Sequence, residues 1–109
     1  MSTAPSVPPS EVLLLHSLIT PTPHGIASRV LAKSAAGNLT LFAFDSGEGL
    51  TEHSSPFDAL VMVLDGALTL TIGGTPLRAT PGTIVRMPAN VPHAVDASEP
   101  ARMLLLMLR

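Results

Sequence analysis

The chain has no cysteine, no tryptophan and no tyrosine, and only 13% of its 109 residues are charged. Without cysteine there are no disulfides, no thiolate metal sites and no cysteine nucleophile. The same absence fits a reducing compartment, so the expected location is cytoplasmic. Phe42, Phe44 and Phe57 are the only aromatic residues besides histidine, and nucleic-acid bases would find almost nothing to stack on. The basic residues Arg29, Lys33, Arg78, Arg86, Arg102 and Arg109 are scattered in a chain of net charge -2. No phosphate-tracking stripe can be built from them, which excludes nucleic acid as a partner.

Long hydrophobic runs and clean helical stretches are lacking too. The apolar run at 12–19 is broken by His16 and Ser17 and is far too short to cross a bilayer, so no membrane partner is expected. Eleven prolines and eight glycines cut the chain at intervals that leave no convincing helix. Residues 1–10, rich in proline and serine, read as a flexible tail. Residues 11–109 show no repeat and no composition shift, and read as one domain.

What remains is short apolar segments in a chain that is 46% hydrophobic. The pattern predicts strands near 12–19, 27–33, 39–45, 57–65, 67–72, 76–79, 83–87, 93–96 and 103–108. Many short strands at regular spacing define an all-β sandwich or barrel. Leu68 to Ile72 alternates cleanly, and Gly73-Gly74 follows as a two-residue hairpin turn. The segments at 59–64 and 103–107 are apolar on both faces, so both of their faces must be covered. One face fills the barrel. The other is expected to meet an N-terminal strand or a second copy of the chain, making a homodimer.

Nucleophilic catalysis finds little support. No serine lies in a Gly-x-Ser-x-Gly elbow, and Gly47-Glu48-Gly49 leads to no phosphate-loop lysine. His16, His24, His53 and His93 are left as the chemically distinctive residues. Met62, Met87, Met103 and Met107 read as core filler in a chain short of aromatics.

Two histidines stand in ordered surroundings. Gly47 leads through five residues to His53, and Gly66 follows after the apolar strand. Gly82 leads through five residues to Pro88, and His93 lies beyond Asn90 and Pro92, with 15 residues between Gly66 and Gly82. Residues 47–97 thereby resemble the two motifs of the cupin family, small barrels of jelly-roll or double-stranded β-helix type. The resemblance implies a hollow β-barrel that receives His53 and His93. Asn90 stands where the second motif has glycine, and asparagine is the side chain that best tolerates positive φ.

In metal-binding cupins two histidines and a glutamate of the first motif, with the histidine of the second, hold the ion. Here Ser55 occupies the second histidine position, Ala59 the glutamate position, and Ala97 the final asparagine. The resemblance leaves His53 and His93 as metal ligands, with Asp58 or His24 as the candidate third. Strand alternation points Asp58 and Glu52 away from the face of Ala59 and His53, unless a bulge near Pro56 re-aims Asp58. Two readings follow. In the first, the barrel binds a small molecule through His53 and His93, with Ser55 and Ala59 lining the site. In the second, it is a metal-dependent enzyme of oxygenase or isomerase type, holding zinc, iron, manganese or nickel in a rearranged ligand set.

Overall fold

A computed structural model of the protein describes residues 7–109; residues 1–6 of the expected tail lie outside it. Nine strands follow one 3-10 turn: β1 (Ile26–Ser34), β2 (Gly37–Phe44), β3 (Gly49–His53), β4 (Asp58–Asp65), β5 (Leu68–Ile72), β6 (Thr75–Ala79), β7 (Ile84–Met87), β8 (His93–Ala97) and β9 (Ala101–Leu108). They form a five-stranded sheet ordered β1-β2-β9-β4-β7 and a four-stranded sheet ordered β3-β8-β5-β6. Every pairing is antiparallel. This is the all-β architecture that the alternation and turn spacing predict, in the jelly-roll form that the resemblance implies. Gly73 and Gly74 make the β5–β6 hairpin with φ of 57° and 84°, the two positive values that a type I′ turn demands.

Two predicted elements differ. The segment 12–19 is not a strand; its centre is a 3-10 turn over Leu15–Leu18. His16 and Ser17 break its alternation, and Leu15, Leu18 and Ile19 pack as a strap across the outer face of the five-stranded sheet, while Val12 and Leu14 stay exposed. Conversely β3 was not expected, because Leu50 is its single large apolar residue. It forms because β8 supplies a ladder for its backbone, and pairing needs no apolar side chains.

The interior is packed rather than hollow. Phe44, Val61, Leu68, Leu70, Val95 and Met103 from both sheets are each less than 2% exposed. A side chain that closely surrounded contributes on the order of 2–3 kcal/mol through burial. β4 alternates between the two cores. Ala59, Val61 and Val63 face the interior, while Met62 and Leu64 face a second cluster built on Ile19, Leu31, Leu41, Ala43 and Leu104.

That second cluster is where the strap docks. Val7, Leu15 and Leu18 pack on it, and the Val7 backbone N–H donates to the Leu31 carbonyl at 3.0 Å. Two arginines rising from the sheet hold the end of the strap. Arg29 donates to the Leu18 carbonyl (3.2 Å) and Arg102 to the Ile19 carbonyl (3.1 Å). Arg102 is itself oriented by Asp65 at 2.8 Å. Among the described residues no helix is long and apolar enough to cross a membrane.

Candidate functional site

The site begins with a bulge. Leu50 of β3 lies opposite Val95 of β8, and His53 lies opposite His93, with a register shift between. Three steps along β3 therefore match two along β8. Plain alternation from Leu50, which packs on the interior cluster, would turn Glu52 inward and His53 outward. The extra residue reverses this and brings His53 to the same face as Leu50. His93 needs no such device, because it shares the inward face of β8 with Val95 and Ala97.

The two imidazoles meet edge to face, with ring centroids 4.4 Å apart and an interplanar angle of 70°. Each ring is anchored to the carbonyl two residues before it. Nδ1 of His53 contacts the Thr51 oxygen at 2.9 Å, and Nδ1 of His93 contacts the Val91 oxygen at 3.2 Å. His93 is 6% exposed, whereas His53 stands exposed at the rim. The loops beneath the pair are cross-tied. The Asn90 N–H donates to the Ser55 carbonyl (2.7 Å) and the Gly73 N–H to the Pro92 carbonyl (2.8 Å). Asn90 carries the positive φ, 65°, that its place in the motif requires.

Burial pushes the His93 imidazole below its ordinary pKa of 6.5; the Val91 carbonyl opposes this and the neighbouring His53 ring reinforces it. The unfolded chain therefore takes up a proton at higher pH than the native one. Stability is full above about 6.5 and declines as pH falls towards the lower native value. We expect the melting temperature to drop between pH 7 and pH 5, and to drop less in His93→Gln. Equal pH slopes in the two proteins would contradict the assignment. Asp45 and Asp58 are also held below their ordinary 3.8 by backbone N–H donors, so their influence lies in a lower, separate pH window.

The other expected site residues sit as follows. Ala59 is buried and faces the interior. Ser55 is occupied locally, its Oγ accepting from the Phe57 N–H (3.0 Å) and lying 3.3 Å from the Phe57 oxygen. Asp58 is not re-aimed inward, because the bulge falls in β3 rather than near Pro56. Its carboxylate pairs with Arg86 at 3.0 Å and accepts from the Ala89 N–H at 2.8 Å. That bond pins the 88–92 loop to β4, a positioning role for Asp58. His24 occupies a turn ahead of β1 at φ 59°, with its backbone N–H on Asp45. His16 lies in the strap.

A divalent ion of the family type does not fit this donor set. Two imidazoles converge, the glutamate position is a methyl group, and Asp58 is committed to Arg86 and Ala89. No group of three or more His, Asp or Glu side chains able to share an ion exists among the described residues. Zinc and its neighbours normally need three protein ligands for a competent site.

The register adds two residues that sequence reasoning placed only as core filler. Ala59 lies opposite Met87 on β7 and opposite Met107 on β9. Where a carboxylate would stand in the family's metal site, the wall is a methyl group between two thioethers. Ile72, directly opposite His93 on β5 of the other sheet, packs against the same interior cluster. The pairing could have been anticipated only by knowing which strands flank β4.

Fold and site together define a small jelly-roll barrel with a histidine pair at its mouth. The chain belongs to the cupin family, whose Cupin domain model matches residues 40–107. A conserved protein of unknown function from Streptococcus pyogenes is 33% identical, covers 100% of this chain and 96% of that one, and superposes with a TM-score of 0.90. A cupin superfamily protein from Desulfitobacterium hafniense is 27% identical over 98% of both chains, with a TM-score of 0.89. A cupin 2 conserved barrel domain protein from Leptotrichia buccalis is 34% identical over 87% of this chain and 46% of that one, TM-score 0.84. No protein of curated function matches the chain.

Proposed function

We propose that the protein is a cupin binding module that holds a small molecule at the barrel mouth through His53 and His93, without a resident metal. One observation carries this: the two imidazoles are paired and anchored through Nδ1, yet among the described residues no third ligand joins them. Anchored rings present a fixed direction to a ligand, as a binding site requires. Ala59, Met87, Met107 and Ile72 supply the apolar wall against which a small body can lie. Thermal shift of dialysed protein against a broad metabolite panel tests the reading. A binder should raise the melting temperature of the native protein and leave His53→Ala and His93→Ala unmoved. A panel with no responder would count heavily against it.

We also propose a homodimer formed on the outer face of the five-stranded sheet, in a protein of the cytoplasm. Ile84 is 59% and Leu108 45% exposed there. Beside Leu108 an open cavity of about 360 Å³ is lined by Leu39, Leu106, Leu108 and the β1–β2 turn. Contiguous apolar surface of this kind marks an interface, and a second copy presents a matching face. Leu106→Glu is expected to convert the dimer to monomer in analytical ultracentrifugation while leaving the far-ultraviolet circular dichroism unchanged. A monomeric native protein at micromolar concentration would refute the interface.

A further inference from the structure

The direction of the hydrogen bonds at the histidine pair restricts what the mouth can hold. A backbone carbonyl only accepts, so the Nδ1 atoms on Thr51 and Val91 must both carry their protons. In a neutral imidazole this leaves Nε2 as a bare lone pair. Neither Nε2 has a partner among the described residues. No buried side-chain nitrogen or oxygen there lacks one, so the unpartnered Nε2 of His93 opens towards solvent. With both rings neutral, the mouth offers two acceptors, fixed in direction, and no donor from either ring.

The charge around the pair narrows the class further. None of the eight acidic residues is buried. Glu52 is exposed in the β3 bulge, and Asp58 is turned to Arg86. A metal dication or an ammonium group would find no counter-charge. A carboxylate, which only accepts, would meet two acceptors. An ether or ester would leave both lone pairs unmatched. A hydroxyl donates to Nε2, and its hydrogen bond strengthens as it becomes more acidic. The thioether of Met107 and the side chain of Ile72, both half-buried, suit a flat apolar body beside it.

We infer that the ligand is a compact, uncharged compound with a weakly acidic hydroxyl, of phenol or enol type, whose O–H donates to Nε2 of His93 or His53. The inference rests on the binding reading above and names the chemical class of its ligand. A matched series of probes tests it on the full chain: 4-methylphenol, 4-methylanisole and 4-methylbenzoate. Binding is followed by the ¹⁵N shifts of the histidine Nε2 atoms, which report lone-pair loss directly. The phenol should bind at least about tenfold more tightly than the anisole and move an Nε2 resonance, and the benzoate should do neither. His53→Ala and His93→Ala should each weaken the phenol about tenfold. Because His53 is exposed, its variant keeps the test open even where loss of the buried ring disturbs folding.

Equal affinity for phenol and anisole would overturn the hydroxyl requirement, and tight benzoate binding would replace it with an anion site. The binding reading would survive both results. Silence from all three probes, alongside a panel hit that moves the histidine rings, would overturn the ligand class alone. Silence in the probes and in the panel would overturn the class and the binding reading together.

Discussion

Replacing Gly66 by alanine is expected to lower the free energy of unfolding by about 3 kcal/mol, the sum of two costs. Gly66 has φ of 69°, a left-handed conformation that costs an L side chain roughly 1–2 kcal/mol. A Cβ there would also run into the Pro100 carbonyl oxygen and lie 2.7 Å from Cα and Cβ of Ala101. Overpacking against backbone costs about 1–3 kcal/mol more. Together these approach a third or more of the stability of an ordinary domain. Gly74 provides the control. Its φ is 84°, but a Cβ there meets nothing within 4 Å, so alanine should cost only the conformational part, about 1–2 kcal/mol. Chemical denaturation of both variants measures the difference, and equal losses would show that the contact with Pro100 and Ala101 contributes nothing. Gly66 is therefore more than the end of a motif. It lets β4 turn into β5 directly against the β8–β9 connection at Pro100 and Ala101.

The second large effect concerns the missing ligand. Ala59→Glu is expected to raise affinity for zinc or manganese at least about a hundredfold over the native protein. It places a carboxylate on the inward face of β4, where alternation already directs Ala59. With His53 and His93 this supplies three protein ligands, the usual minimum for a competent site. The same carboxylate is unpaired without metal, in a position 4% exposed in the native protein. The metal-free variant should accordingly melt lower than the native protein, and metal should restore it. Isothermal titration with each ion, and melting with and without it, read both halves. A variant whose metal affinity stays at the native level would show that loss of the glutamate is not what disables the site.

Much of this architecture is legible in the residues. The strict alternation of β5, the Gly73-Gly74 turn and the doubly apolar β4 and β9 each follow from side-chain period and backbone chemistry. The spacing of Gly47, Gly66 and Gly82 around His53 and His93 identifies the family. Position-dependent features are not legible. The strap reads as a strand because an apolar run carries no record of whether a partner edge is free. The reversal of His53 depends on one extra residue between Leu50 and His53, and a bulge leaves no mark in a polar triplet such as Thr51-Glu52-His53. Asp58 shows the converse. Its outward direction follows from alternation, and its attachment to Arg86 and Ala89 then follows from the β4–β7 register.

The proposed function requires that His53 and His93 bind as a pair without a resident metal. Elemental mass spectrometry on untagged native protein, beside His53→Ala and His93→Ala, tests it most directly. We expect metal well below one ion per chain in all three samples, unchanged by reconstitution with zinc, iron, manganese or nickel. Near-stoichiometric metal in the native protein, lost in both variants, would contradict the account and reveal a third ligand at the barrel mouth.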